Sequence, residues 1–378
     1  MDSSERQEVF TRAERGDVVK SSAGSKGFYL GIDVGSTSSD IVLIARDGGL
    51  IYSDYQRTMG RPVETAREQL VRLSESYSPA LIESAAVTGA AGRVIADILD
   101  VPFVNEVSAQ AAAISHLYPD LAQASVIEMG GQDSKLIFLS RQGSRMRMRD
   151  FALNSVCAAG TGSFLDQQAQ RLGINIEDEF GRLALQSKSV PRMAGRCSVF
   201  AKSDMIHLQQ QATPMCDIIA GLCLALARNL KSNLGCGRDF IKPIIFTGGV
   251  AANVGVIRAL EEVFELQHGE LLVPEVHFFT GAIGAVLVAK TKGLTKKTRP
   301  IRISRIEDYL AKRGSALKHA PRREPLNKPS LPVPQSKVHS ELLENVIEPL
   351  DAYLGVDVGS ISTNVVVMDP QRRVLSKA

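Results

Sequence analysis

No run of about 18 apolar residues occurs in this chain, so no segment reads as a membrane-spanning helix. Its start, M-D-S-S-E-R-Q-E, lacks the apolar stretch of a signal peptide, and a cytoplasmic protein with no membrane contact is expected. The five cysteines, at 157, 197, 216, 223 and 236, contain no C-x-x-C pair and form no even disulfide set; each reads as a ligand, a nucleophile or a core filler. Charge of one sign is also lacking. The 44 Lys and Arg against 41 Asp and Glu leave only +3, which gives no reason to expect nucleic acid or a membrane as partner. Hydrophobic residues make up 44% of the 378, ample for real cores in two or three domains.

Residues 1–26 are polar and without periodicity and read as a disordered tail. From 27 to 291 strand and helix patterns alternate, which argues an α/β fold. Y-L-G-I-D-V-G-S-T-S-S-D-I-V-L-I (29–44) and S-V-I-E-M-G-G-Q-D-S-K-L-I-F-L (125–139) each read as strand, glycine turn, strand. Further strands are predicted at 84–88, at 101–105 and in I-K-P-I-I-F-T-G-G-V-A-A-N (241–253), which ends in a double glycine. Helices are predicted at 62–77, 91–99, 106–117, 164–172, 177–187, 198–211, 215–233 and 279–290. Residues 292–350, with seven prolines and a basic excess, read as a solvated linker rather than a nucleic-acid arm, because aromatics for base stacking are nearly absent. Y-L-G-V-D-V-G-S-I-S-T-N-V-V-V-M (353–368) then repeats 29–44 at nine of sixteen positions, so 351–378 reads as the truncated start of a second copy in a longer tandem protein.

Three turns could carry nucleotide chemistry. In D-V-G-S-T (33–37) the backbone of Gly35, Ser36 and Thr37 can converge on phosphate oxygens, and Asp33 can hold hydrated Mg²⁺ beside them. E-M-G-G-Q-D-S-K (128–135) puts Glu128 in the equivalent place before Gly130, Gly131 and Gln132, with Asp133 and Lys135 following. In T-G-G-V-A-A-N (247–253), Gly248 and Gly249 let the backbone approach a flat ligand closely, and Ala252 and Asn253 lead into the next helix.

The stretch N-S-V-C-A-A-G-T-G-S-F-L-D (154–166) reads differently. With the nucleotide already served by three turns, Gly160 and Gly162 are free to make the open entry to a helix that presents Cys157. Cys197 likewise precedes the helical S-V-F-A-K-S-D-M-I-H-L; a helix N-terminus lowers a thiol's pKa, and Ala158, Ala159, Gly160, Gly195 and Ser198 leave room for a bulky inorganic group. Buried thiols packing as small hydrophobes are the plain alternative, and Cys216, Cys223 and Cys236 read as core on that ground. His116 and His207 have no ligand partner nearby in sequence and read as ordinary histidines.

The three turns together resemble the phosphate 1, phosphate 2 and adenosine motifs of the acetate/sugar kinase, heat-shock chaperone and actin superfamily, and V-N-E-V-S-A-Q-A-A-A (104–113) is similar to its first connecting motif. The resemblance implies two ribonuclease-H-like lobes, an actin-like ATPase fold, with ATP or ADP and Mg²⁺ in the interlobe cleft. It also implies that Glu106 places the attacking water. V-T-G-A-A-G-R, G-G-Q-D-S-K, the Cys157 stretch, G-R-C-S-V-F-A-K-S-D and T-G-G-V-A-A-N further resemble the ATP-dependent activators of 2-hydroxyacyl-CoA dehydratases and the benzoyl-CoA reductase ATPase subunits, a family with long tandem members. That implies a homodimer, or a pseudo-dimer of tandem copies, sharing one [4Fe-4S] cluster on the positions matching Cys157 and Cys197. It further implies one-electron delivery to a dehydratase or reductase iron–sulfur enzyme, with reduced ferredoxin or flavodoxin as donor. Two positions depart from the family pattern: Asp40, where Lys is common, and Glu128, where Asp is usual. Two other classes stay open. A small-molecule kinase of the same fold predicts phosphotransfer to a sugar or acid hydroxyl by a colourless protein, and a non-catalytic ATP-dependent interaction module predicts ATP turnover that needs neither cluster nor acceptor.

Overall fold

The computed structural model describes residues 27–143, 145–154, 158–195, 197–294, 301–319, 349, 351–358 and 363–377. Cys157, the tail at 1–26 and most of the Pro-rich stretch lie outside the described residues. The chain divides into two units, Met1–Lys318 and His319–Ala378.

The first unit is built from two lobes of one plan. In the first lobe β1 (Phe28–Val34), β2 (Ser38–Ala45) and β3 (Leu50–Arg57) run antiparallel, and β4 (Ile82–Thr88) returns parallel to β1, giving the order β3-β2-β1-β4. In the second, β5 (Gln123–Met129), β6 (Ser134–Gln142) and β7 (Arg145–Asn154) make the antiparallel part, and β8 (Ile244–Thr247) lies parallel to β5 with short β9 (Leu271–Leu272) outside it. The central strands are apolar on both faces, as covered strands must be. Leu30, Ile32, Val126, Ile127 and Ile137 are all wholly buried.

Helices α1 (Pro62–Ser76) and α2 (Gly92–Leu99) cover one face of the first sheet, where Ala66, Leu70, Leu73 and Ile95 join Leu30 and Ile41 in its core. Between the lobes lie α3 (Glu106–Leu117), started by the Asn105 side chain accepting from the Val107 and Ser108 N–H groups, and, much later in the chain, Thr280–Thr291. The second lobe carries the helices α4 (Gly162–Leu172), α5 (Gly181–Leu185), α6 (Ser198–Gln210), α7 (Met215–Asn229) and α8 (Val254–Val263), so that Thr280–Thr291 is α9. Val107 and Ile114 of α3 pack on the second sheet, while Ala109 packs with Ala285 and Ala289 of α9. Such close approach requires small residues: a Cβ at Gly284 would overlap the Ala109 carbonyl, and one at Gly281 would overlap the Asp33 carboxylate. Helix α7 is buried on nearly all sides, from Asp217 to Ala227, and anchors the core of the second lobe.

Three expectations from sequence differ from the structure. Residues 101–105 form only an isolated bridge, Val87 to Phe103, because Pro102 has no N–H to give to a ladder. Within the stretch read as a linker, α10 (Ser304–His319) packs on the first lobe, with Ile301 and Ile306 buried and Arg67 joined to Glu307 at 2.7 Å; Ile303, Ile306 and Leu310 follow helical spacing, and most of the prolines lie beyond it. Of the three cysteines read as core, Cys223 is buried, Cys216 is half-buried and Cys236 is exposed in a turn with positive φ.

The second unit is an antiparallel sheet of β10 (Tyr353–Val358), β11 (Thr363–Met368) and β12 (Val374–Lys377). Asp357 lies opposite Asn364 in its first ladder.

Candidate nucleotide site and the cysteine turn beside it

Strands β1 and β5 end in acids, Asp33 and Glu128, at the mouths of their hairpin turns, and both face one cleft of about 1080 Å³. Every nucleotide-site residue predicted from sequence lines this cleft: Asp33, Gly35, Ser36 and Thr37; Glu106; Glu128, Gly130, Gly131, Gln132, Asp133 and Lys135; and Gly248, Gly249, Ala252 and Asn253. Local bonding explains how each turn is set. In the first turn the Gly35 N–H donates to Ser38 O at 2.9 Å, while Thr58 holds the carbonyls of Ser36 and Thr37 through its hydroxyl (2.7 Å) and its N–H (2.9 Å). A trans peptide held by its carbonyl turns its N–H to the opposite side. Gly131 approaches Thr37 so closely that a Cβ would overlap it, so the two phosphate-type turns meet face to face.

The third turn depends on a residue the sequence did not flag. Gly248 has φ +89° and lies against the Met129 backbone, where a side chain would not fit. It donates its N–H to His277 O at 3.0 Å, and its own carbonyl lies 3.0 Å from His277 Nδ1, which clamps the turn from both ends. Burial pushes the His277 imidazole down to about 4, against a smaller rise from the Gly248 bond, so the ring is neutral. Asn253 spends its side-chain oxygen on the start of α8, accepting from the Gly255 and Val256 N–H groups.

The charge of the cleft is strongly acidic. Lys135, almost fully buried, puts its ammonium 2.7 Å from Glu106, 2.8 Å from Glu128 and 2.9 Å from Asp133. Burial alone would lower this lysine's pKa, and the three carboxylates more than reverse that. One cation does not balance the site. Asp33 is pushed up to about 7 by burial and by Glu106 and Glu128, Glu128 is raised by burial despite Lys135, and Asp40 is held well above the usual carboxylate range by burial and then by Asp33. A polyphosphate entering this field needs cations with it. Among the described residues the three carboxylates that converge do so on the Lys135 ammonium, and no group of three His, Cys, Asp or Glu side chains is placed to hold a metal ion by itself. Carboxylate oxygens are the donors that Mg²⁺ takes, and it keeps several of its waters when it binds with a polyphosphate.

The glycine turn after Cys157 does not stand apart from the nucleotide turns, as its sequence led us to expect. The N–H groups of Gly162 and Ser163, at the start of α4, donate to the carbonyls of Gly130 (2.9 Å) and Gly131 (2.8 Å), and the Ser134 hydroxyl donates to Gly160 O. Gly162 itself lines the cleft. Cys197 lies outside the cleft, half-buried in extended conformation at the N-cap of α6. Asn229, wholly buried on α7, connects the two cysteine loops: its amide donates to Gly195 O, and its side-chain oxygen packs against Gly160.

Arg57 and Asp166, which face each other across the cleft, were also not predicted, nor was Gln110, one helical turn after Glu106 and on the same side of α3. The i to i+4 spacing could have flagged Gln110. The others meet only through the fold. His116 contacts Gly48 O, and His207 contacts the Gln211 side chain.

The chain is 31% identical over 268 residues to the 2-hydroxyisocaproyl-CoA dehydratase activator of Clostridioides difficile, a match covering 69% of this chain and 94% of the relative. Its structure is similar to that of (R)-2-hydroxyglutaryl-CoA dehydratase component A from Acidaminococcus fermentans, with a TM-score of 0.64 and 29% identity over 71% of this chain and 99% of the other. It is also similar to the 2-hydroxyisocaproyl-CoA dehydratase activator from Clostridium difficile with bound ADPNP, with a TM-score of 0.63 and 28% identity over 73% of this chain and 99% of that one. The two lobes thus have the actin-like ATPase fold. The sequence profile of the BadF/BadG/BcrA/BcrD ATPase family matches residues 30–289, and the chain belongs to that family.

Proposed function

We propose that the protein is an ATP-dependent reductive activator, which couples ATP hydrolysis to the transfer of one electron into a partner iron–sulfur enzyme of the 2-hydroxyacyl-CoA dehydratase or benzoyl-CoA reductase class. The observation that carries this reading is the pair of hydrogen bonds from Gly162 and Ser163 to Gly130 and Gly131, because they join the turn that follows Cys157 to a phosphate-binding turn. A change at the phosphates is then felt directly at the start of α4.

In the cleft, the turns at 35–37 and 130–132 would cradle the phosphates, and the turn at 248–249 would lie against the adenosine. Asp33 and Glu128 would hold Mg²⁺ through water. Glu106, positioned by Lys135, would orient the attacking water, and phosphates bound by both turns would bias how closely the two lobes sit at the Thr37–Gly131 contact. Bound to Cys157 and Cys197, a [4Fe-4S] cluster would supply the one-electron reductant. Two cysteines are half of the four thiolates that a cubane takes, so the donor set fits when a second copy, or a second tandem repeat, brings the same pair. Val199 and Phe200, exposed at 65% and 64% directly after Cys197, give that copy an apolar surface to cover. Reduced ferredoxin or flavodoxin in the cytoplasm is the fitting donor.

The test is anaerobic purification with iron and acid-labile sulfide counted per chain. Brown, air-bleached protein with about two irons per chain is expected, and Cys157→Ala and Cys197→Ala should each lose the colour while ATP turnover persists. Colourless protein that phosphorylates a sugar would overturn the proposal.

A further inference from the structure

The two hairpins that bring acids to the cleft share a register but not a charge. In the second lobe Glu128 lies directly opposite Lys135; in the first lobe Asp33 lies directly opposite Asp40. One strand further out, Thr247 stands beside Glu128 and Thr88 beside Asp33. Residues paired across a ladder present their side chains to the same face of the sheet. Both lobes therefore carry the same row of threonine, acid and partner, and only the second lobe's row includes a cation. Tyr55, opposite Asp40, extends the row in the first lobe, which bears oxygen atoms from end to end.

Asp40 is 6% exposed, borders the cleft, and its Oδ1 has no hydrogen-bond partner among the described residues. Thr88 is 0% exposed, and its hydroxyl also has no partner there. Leaving a buried carboxylate unpaired is costly, and facing a second carboxylate across the ladder adds repulsion. A cation between them would offset both effects. The donors are carboxylates and a hydroxyl, with no nitrogen or sulfur, which selects a hard cation, and two facing carboxylates match a divalent charge. Among the described residues no third acidic or imidazole side chain joins these two as a metal ligand, and water would complete the shell.

We infer that the first lobe holds a resident divalent cation on the Asp33 and Asp40 carboxylates beside Thr88, bound without nucleotide, in the place that the Lys135 ammonium takes in the second lobe. This cation is distinct from the Mg²⁺ that arrives with ATP between Asp33 and Glu128. The inference deepens the reading of the cleft as a nucleotide site, yet needs no nucleotide to be present.

The experiment strips the full chain of metal and nucleotide, then titrates it with Mn²⁺ while the free ion is followed by electron paramagnetic resonance. One equivalent should bind below about 1 mM, and Asp40→Asn should weaken it by about tenfold or more. Asp40→Lys, which supplies its own ammonium, should abolish that equivalent and unfold thermally no earlier than wild type. Adding ATP to wild type should bring in a second equivalent. Absence of Mn²⁺ binding to the nucleotide-free wild type, or unchanged binding in Asp40→Asn and Asp40→Lys, overturns the inference. Because the first titration contains no ATP, loss of ATP turnover or of the cluster would sink the proposed function and leave this result standing.

Discussion

Arg57 at the end of β3 reaches across the cleft to Asp166 on α4, with Nη2 3.0 Å from Oδ1, and its Nε lies 3.0 Å from Glu177 in the same lobe. Asp166 sits just past the turn that docks on Gly130 and Gly131 within the second lobe, so this ion pair ties the first lobe to the helix that follows Cys157. Both side chains are about one-third exposed, which limits the pair to at most about 1 kcal/mol of stability. Arg57→Ala should therefore unfold close to the wild-type temperature, while its KM for ATP rises several-fold. The charge swap Arg57→Asp with Asp166→Arg should recover part of that loss in steady-state ATPase assays. An unchanged KM in Arg57→Ala would mean that the lobes close without this tie.

Lys135→Met tests the acidic field. The substitution keeps an unbranched side chain one atom shorter and removes the cation that faces Glu106, Glu128 and Asp133. Breaking a buried ion pair from one side costs about 3–5 kcal/mol. Urea unfolding should show a loss of that order, and added Mg²⁺ should restore part of it by screening the same carboxylates.

Gly284→Ala addresses the seam between the lobes. A Cβ there meets the carbonyl of Ala109, a backbone atom that cannot rotate away, so α3 and α9 must move apart. Overpacking of this kind costs about 1–3 kcal/mol. The urea midpoint should fall without a change in slope, and ATP turnover should drop with it because Asp33 is held against the same helix.

His277 sets a pH dependence. Its folded pKa lies near 4, below the ordinary 6.5, so between these values the unfolded chain binds a proton that the folded chain refuses. Stability from this group is fully present above pH 6.5 and is lost as pH falls toward 4, by about 3 kcal/mol in total. Thermal unfolding measured across that window should show the slope, and His277→Asn should flatten it.

The parts of the site legible in sequence are those in which chemistry is punctuated by glycine. An acid followed by a glycine turn between two apolar runs announces 33–37 and 128–132, and a double glycine after a strand announces 248–249. The strands β3 and β7 were not legible. L-I-Y-S-D-Y-Q-R and R-M-R-M-R-D-F-A-L-N are edge strands whose polar and charged residues hide the apolar period of two. Missing β3 also meant missing Tyr55 and Arg57, which it carries into the cleft. His277 and Asn229 escaped for another reason: each acts on backbone that lies 29 or 34 residues away, and nothing local in sequence marks such a bond.

The second unit reuses the same hairpin with Asn364 opposite Asp357. Set beside Asp40 and Lys135, it completes a series of negative, positive and neutral partners at one position of one backbone ruler, each seven residues after its acid. A single codon thus sets the electrical character of each copy of this hairpin without touching its fold. The hairpin of the second unit asks for no counter-ion at that pair beyond what Asp357 demands.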